Sequence, residues 1–240
     1  MAGERSLVGS GWPVVLLLLF LGHWVAVPAK AQEVGEVVRV QEALGMEGRM
    51  TWKLAETAPV KVGLTVILRQ TRSFIRLSLE DRVAIAVGEA RAPVLGTFDF
   101  KGEGEFSIEK AGPEGKTGRF LLGLVVPRGE LWMALLRTIP LLAEVRTPQL
   151  RARSEGTYFR MRVDPAFGTF LAADEDSVSV KLGQDEGGES FLVAAGQWIL
   201  VTPAGTVHRG AIDNPRDSLD DSPLLDCCDF RTGPPESQFP

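Results

Sequence analysis

Short runs of alternating apolar and polar residues follow one another from Val34 onward. In "FIRLSL" (Phe74–Leu79) the three aliphatic residues share one face, and Arg76 and Ser78 take the other. Alternation with period two is typical of half-buried β-strands, and turn signals such as Pro127–Gly129 separate the runs. The pattern predicts an all-β fold: a jelly-roll-like β-sandwich of short antiparallel strands, with an irregular β-solenoid as the alternative.

One segment leaves the secondary structure open. The stretch "ELWMALLRTIPLLAEV" (Glu130–Val145) is rich in Leu, Ala and Met, which favour a helix, but Pro140 would end or kink one. Its apolar pattern fits a short helix or two buried strands, and periodicity alone does not decide between them.

The N-terminal segment has the features of a secretory signal peptide. Arg5 precedes an apolar stretch of 14 residues, Val14–Val27, whereas a membrane-spanning helix needs about 20. The small residues of Ala29-Lys30-Ala31 then form a signal peptidase site. We expect cleavage after Ala31. The chain from Gln32 would be periplasmic or secreted, with no stable membrane anchor.

The C-terminal segment 210–240 is rich in Pro, Asp and Ser and predicts a disordered tail. The chain would then comprise a signal peptide (1–31), one β domain (32–209) and this tail. Both cysteines, Cys227 and Cys228, lie in the tail. In an oxidising compartment one of them could link two chains by a disulfide, whereas a metal site would need further ligands that the tail does not offer.

The charge pattern argues against nucleic acid as a partner, because the chain carries a net charge of −5. One basic stretch stands out, and it fits either a patch for an anionic partner or a solvated strand face. It contains Arg146, Arg151, Arg153, Arg160 and Arg162.

Four short motifs, taken in order, resemble the FecR-type periplasmic domain: "VRTP" (Val145–Pro148), "GTYFRMRV" (Gly156–Val163), "DSVSV" (Asp176–Val180) and "VAAGQ" (Val193–Gln197). The resemblance covers nearly all of residues 32–209. It implies a stand-alone exported form of that domain, which binds or scaffolds a component of the bacterial cell envelope. The alternative is a ligand sensor that acts with a membrane signalling partner.

We expect structural roles for two residues in these motifs. Gly156 precedes an aromatic strand and suits a turn with positive φ, and the amide of Gln197 can bond to the backbone of a tight turn.

Catalytic chemistry has little support in the sequence. His208 is the one histidine after the predicted signal peptide, and we expect it in an exposed loop. The acidic segments Asp174–Asp176 and Asp185–Glu189 could serve a polysaccharide hydrolase, but solvated hairpin turns are the simpler interpretation. We therefore predict no enzyme activity, cofactor or metal.

The candidate binding surface rests on flat aromatic rings and nearby cations, which suit an envelope polysaccharide or protein as partner. The alternative is that the rings fill the core. The candidates are Trp132, Tyr158, Arg160, Arg162 and Trp198.

Overall fold

The computed structural model describes residues 32–80, 94–114, 119–135, 141–183 and 188–212, and this part of the chain forms sixteen β-strands. The all-β prediction is confirmed, and within these ranges no helix is long and apolar enough to cross a membrane. The strands are β1 (Glu33–Gln41), β2 (Ala43–Glu47), β3 (Met50–Lys53), β4 (Pro59–Lys61), β5 (Thr65–Leu68), β6 (Phe74–Glu80), β7 (Val94–Glu114), β8 (Arg119–Leu135), β9 (Leu141–Arg146), β10 (Leu150–Glu155), β11 (Tyr158–Asp164), β12 (Gly168–Ala173), β13 (Ser177–Leu182), β14 (Ser190–Ala194), β15 (Gln197–Val201) and β16 (Val207–Ala211).

A long antiparallel hairpin, β7–β8, connects two sheets. One half of β7 pairs with β6 and the other half with β5, while β8 pairs with β9 and then with β11. Sheet I therefore has the order β14-β13-β10-β9-β8-β7-β5-β2-β3, and sheet II the order β16-β15-β12-β11-β8-β7-β6-β1-β4. Sheets I and II share β7 and β8 and are therefore two parts of one hydrogen-bonded sheet of sixteen strands. Among the described strands the β8–β9 pair is parallel and the other pairs are antiparallel, so this sheet is mixed.

The two sheets pack face to face over one hydrophobic core. Phe98 and Phe100, in the part of β7 that belongs to sheet II, each contact Phe106 in the part that belongs to sheet I. The ring centroids are 4.8 Å apart in both contacts, and all three rings are buried. This packing of two layers confirms the predicted sandwich over the solenoid alternative.

Glycines allow β7 and β8 to bend from one sheet into the other. Gly102 has φ 75° and Gly129 has φ 116°, a region that other residues rarely adopt. A Cβ on Gly129 would also come within 2.4 Å of Phe100 Cζ. The predicted turn between separate strands at Pro127–Gly129 is wrong, because β8 continues through the bend and its ladder with β7 resumes beyond it.

Several local predictions are confirmed. The aliphatic face of β6 is buried, with Ile75, Leu77 and Leu79 at most 2% exposed. Gly156 has φ 65°. The Gln197 side chain accepts a hydrogen bond from the backbone N–H of Ala194 across the β14–β15 turn, at 3.2 Å.

The undecided segment Glu130–Val145 is extended wherever the structure describes it, because β8 reaches Leu135 and β9 begins at Leu141. At the C-terminal boundary, β16 continues past residue 209 to Ala211, and Ile212 is buried. The predicted signal peptide (1–31) and residues 213–240 of the predicted tail, with Cys227 and Cys228, lie outside the described residues.

Candidate functional site

Three of the candidate residues lie in one row across the outer face of sheet II. Arg160 in β11 is directly opposite Trp132 in β8. On its other side, Ala172 of β12 separates Arg160 from Trp198 of β15. Side chains alternate along a strand, so these residues point away from the core that buries their sequence neighbours. The buried neighbours are Leu131, Phe159 and Ile199.

The other two candidates lie on the same face. Tyr158 and Arg162 are two residues before and after Arg160 in β11, so the strand alternation gives all three one orientation. The structure therefore brings the five candidate residues together on the outer face of sheet II. Arg160 is buried, and the other four are half-buried.

Arg160 forms a buried ion pair with Asp174. Its Nε and one terminal nitrogen donate to the two carboxylate oxygens at 3.0 and 2.9 Å. The side chains of Arg160 and Asp174 are only 6% and 4% exposed. Such a bidentate pair fixes both groups and leaves little surface for a ligand, so Arg160 stabilises the sheet rather than contacting a partner.

Trp132 is held by polar groups around its ring. Its Nε1 donates to Glu130 Oε1 at 2.8 Å. Lys101 Nζ lies 3.8 Å from the ring centroid and Arg160 Cζ lies 5.9 Å from it, both within the range of cation–π attraction. The ring is therefore a fixed support for two cations, and Lys101 and Glu130 join the site as residues that the sequence analysis did not select.

Trp198 belongs to a small apolar cluster on the outer face. Its ring lies 5.8 Å from that of Phe170, centroid to centroid. It also packs over Gly210 of β16, where a Cβ would come within 2.5 Å of the indole. The other members of the cluster are Phe167, Phe170, Ala172, Leu200 and Ile212. Trp198 therefore packs in an apolar cluster on the outer face, and it does not fill the main core, which was the alternative for the aromatic candidates.

An open cavity of about 440 Å³ lies where β7 and β8 bend, and Trp132 is not among its lining residues. Lys101 and Glu130, which hold the Trp132 ring, also line this cavity, together with the candidate Arg162. Three cations and three carboxylates lie along its wall. They are Lys101, Arg128, Arg162, Glu103, Glu130 and Asp164. The arrangement offers many hydrogen-bond donors and acceptors with balanced formal charge.

The basic stretch of the sequence is divided between the two sheets. β10 carries Arg151 and Arg153 in sheet I, whereas β11 carries Arg160 and Arg162 in sheet II. The stretch is therefore not one patch. Strand order separates residues that are close in sequence, and the sequence analysis had no signal for this division.

The sheet I arginines surround Glu144. Arg146 and Arg153 donate to its two carboxylate oxygens, both from Nε at 2.8 Å, and Arg151 Nε lies 3.7 Å away. Burial of the carboxyl raises its pKa. The two hydrogen bonds and the charges of Arg153 and Arg151 outweigh that effect, so the pKa of Glu144 lies below its usual 4.5.

The histidine and the acidic residues that were considered for catalysis lie in different parts of the fold, and some of them have structural roles. His208 is half-buried in β16, so its predicted loop position is wrong. Asp174 holds Arg160, and Asp176 lies in a turn with φ 52°. Asp185 and Glu186 lie outside the described residues. Across the described ranges, no three or more His, Cys, Asp or Glu side chains form a group that could hold a metal.

Comparison with known proteins identifies distant structural likenesses. No protein-family model matches the chain, and no curated protein matches it. The chain is similar to two crystal structures, at 1.65 and 2.50 Å resolution, of a provisionally assigned anti-sigma factor from Parabacteroides distasonis ATCC 8503. The first has 15% identity and a TM-score of 0.38, with 49% of this chain and 52% of that one covered. The second has 14% identity and a TM-score of 0.41, with 65% and 72% covered. This chain thus spans about half the length of the first structure, and at these TM-scores neither likeness assigns a family or a function.

Proposed function

We propose that the protein is a non-catalytic binding domain, exported to the bacterial cell envelope, that takes a polysaccharide on the outer face of sheet II. The observation that carries the proposal is the cavity at the bend of β7 and β8, with six charged groups along its wall. The FecR-type motifs of the sequence favour the same location and a role without catalysis.

The chemistry of the cavity suits a neutral ligand rich in hydroxyl groups. Each carboxylate can accept from a sugar hydroxyl, and each ammonium or guanidinium can donate to one. A volume of about 440 Å³ lies within the range of small-molecule sites in proteins. Lys101 and Glu130 are fixed by their contacts with Trp132, which lowers the entropy cost of binding.

The binding proposal is tested with the exported chain and purified fragments of envelope polysaccharide in isothermal titration calorimetry. Lys101→Gln and Glu130→Gln keep side-chain size and remove one charge each. We expect each to weaken binding about tenfold, the effect of losing one charge-assisted hydrogen bond. Arg153→Gln, on the outer face of sheet I, is the matched control and should bind like wild type. Equal affinities for all four proteins, or no polysaccharide binding by wild type, would contradict the proposal.

The same cavity favours one second candidate, a polysaccharide hydrolase. Glycoside hydrolysis uses two carboxyl groups across one cleft, and Glu103, Glu130 and Asp164 all line this one. Incubation with the polysaccharide and analysis of reducing ends distinguishes the two functions. We expect no turnover. Cleavage that Glu130→Gln abolishes would replace the binding function by the hydrolase.

The export proposal has its own test. Cell fractionation and N-terminal sequencing should place the protein outside the cytoplasm with Gln32 as its first residue. A protein that retains Met1 in the cytoplasmic or membrane fraction would contradict export by a cleaved signal peptide.

A further inference from the structure

Strand β3 forms one edge of sheet I, and its outer side has no neighbouring strand within the described residues. It pairs with β2 alone, over four residues in continuous register. All four are exposed, and two of them are large and apolar: Met50 is 69% exposed and Trp52 38%. Proline and bulges protect an edge strand from pairing with another chain. The edge strand of sheet II on this side, β4, begins with Pro59, whereas β3 has neither a proline nor a bulge.

The hydrogen bonds between β2 and β3 determine which backbone groups of β3 face outward. The N–H of Leu54, next to the end of β3, donates to the carbonyl of Ala43 at 3.0 Å. Alternate residues of an antiparallel strand bond to the same neighbour, so the backbone of Trp52 also bonds to β2. The N–H and C=O groups of Thr51 and Lys53 therefore point away from β2, towards the open edge.

We propose that two copies of the chain associate through an antiparallel β3–β3 pair, which joins their two copies of sheet I into one. Both residues of a hydrogen-bonded pair direct their backbone groups at the other strand, and each such pair exchanges two hydrogen bonds. Thr51 of each copy pairs with Lys53 of the other in this way. The two-fold axis then passes between the two copies of Trp52, which lie opposite each other as a non-hydrogen-bonded pair, the kind that brings side chains closest.

Charge selects this register over its neighbours. The next register in one direction places Lys53 opposite Lys53 of the second copy, and the next in the other direction places it opposite Arg49 of the second copy. Like charges directly opposite each other destabilise a strand pair. In the proposed register Lys53 lies opposite a threonine, so both like-charge contacts are avoided.

The central tryptophan pair supplies the apolar part of the contact. Aromatic rings directly opposite each other on paired strands stabilise the pair. The Trp52 ring already packs over Gly45, where a Cβ would come within 2.8 Å of it, so its orientation is set before the copies meet and less entropy is lost. On the opposite edge of sheet I, β14 exposes one large apolar side chain, Leu192, which provides a control position.

The test is sedimentation equilibrium of the exported chain, with a reductant present so that a disulfide through Cys227 or Cys228 cannot link the copies. Small interfaces associate weakly, so the concentration runs from about 1 µM to about 1 mM. We expect a monomer–dimer equilibrium within this range. Thr51→Pro removes an outward N–H at an edge position, where proline is tolerated. It should raise the dimer Kd at least about tenfold, because each copy loses a hydrogen bond.

Charge variants of Thr51 test the register. Thr51→Glu places a carboxylate opposite Lys53 of the second copy and should lower the dimer Kd about threefold, whereas Thr51→Lys should raise it about threefold. Leu192→Lys, in edge strand β14, is the matched control and should stay within about twofold of wild type. Circular dichroism and thermal melts verify that each variant is folded.

Three results would overturn the proposal. They are a monomer at every concentration, an association that Thr51→Pro weakens no more than Leu192→Lys does, and an equal loss of association in Thr51→Glu and Thr51→Lys. The proposal does not depend on polysaccharide binding, which is measured with variants of sheet II, so failure of either proposal is recognised separately.

Discussion

The outer face of sheet II contains two arginine–aspartate pairs of the same geometry and different burial, which makes the energetic role of Arg160 measurable. Arg160–Asp174 and Arg76–Asp99 are both bidentate. The Arg160 side chain is 6% exposed, whereas the Arg76 side chain is 47% exposed. Asp174→Asn and Asp99→Asn each remove one negative charge with almost no change in shape.

The two substitutions should differ in cost by several-fold. In Asp174→Asn the guanidinium of Arg160 keeps its charge without a counterion in a site that water hardly reaches. Breaking a buried pair in this way costs about 3–5 kcal/mol. The remaining amide oxygen still accepts one hydrogen bond, so we expect about 3 kcal/mol. In Asp99→Asn the exposed Arg76 is solvated, and the expected loss is about 0.2–1 kcal/mol.

Urea denaturation of wild type and both variants, followed by tryptophan fluorescence, gives the free energies of unfolding. For a domain of this size, about 3 kcal/mol corresponds to a fall in Tm of about 6–12 °C. The double variant Arg160→Met/Asp174→Leu should regain most of the stability, because an apolar pair carries no desolvation cost. Equal losses for Asp174→Asn and Asp99→Asn would refute the reasoning that burial makes Arg160 a structural residue.

Two further predictions concern Glu144, which lies in sheet I, and Thr169, which lies in sheet II and contacts a turn of sheet I. Glu144 has a lowered pKa in the folded protein, so its stabilising contribution is present above pH 4.5 and is lost as the pH falls through the folded-state value. In urea titrations the free energy of unfolding of wild type should exceed that of Glu144→Gln at neutral pH, and the difference should shrink as the pH falls. A difference that stays constant from pH 7 to 3 would contradict this. Thr169 of sheet II is fully buried and its hydroxyl lies 2.9 Å from Thr147 Oγ1 and 2.6 Å from Gln149 Oε1, beside the β9–β10 turn of sheet I. Thr169→Val should cost about 0.5–1.5 kcal/mol, the net value of the one hydrogen bond that the hydroxyl proton makes, because Thr147 Oγ1 still accepts from the backbone N–H groups of Gln149 and Leu150; Thr169→Ser, which retains the hydroxyl, should cost clearly less in the same assay.

Strands and their faces could be predicted because the alternation of side chains is a local property. Ile75, Leu77 and Leu79 have to share a face in any extended conformation, and their burial follows from their apolar character. The common face of Arg160 and Arg162 follows in the same way. The continuous bend of β8 could not be read from the sequence, since Gly129 is compatible with both a turn and a bend, and only the ladder with β7 decides between them.

The partners of the candidate residues depend on strand order, which the sequence does not display. Asp174 follows β12, and it meets Arg160 because β11 and β12 form a hairpin. Lys101 reaches Trp132 through the pairing of β7 with β8. A selection by residue type therefore chose residues that share one face, but it could not show that Arg160 is buried in an ion pair, and it missed Lys101, which lines the cavity.

The β7–β8 hairpin belongs to both sheets, and the outer faces of the two sheets present different charges to a ligand. In sheet II the guanidinium of Arg160 is matched by Asp174, and cations and carboxylates occur in equal numbers along the cavity. In sheet I the carboxylate of Glu144 receives hydrogen bonds from two arginines, and an adjacent depression is lined by cations and hydroxyls. A balanced wall suits a neutral ligand rich in hydroxyl groups. Raising the ionic strength should therefore change polysaccharide binding at sheet II by less than about twofold, because a neutral ligand has no net charge for salt to screen; a steep loss of affinity with added salt would show that this wall selects a charged ligand instead.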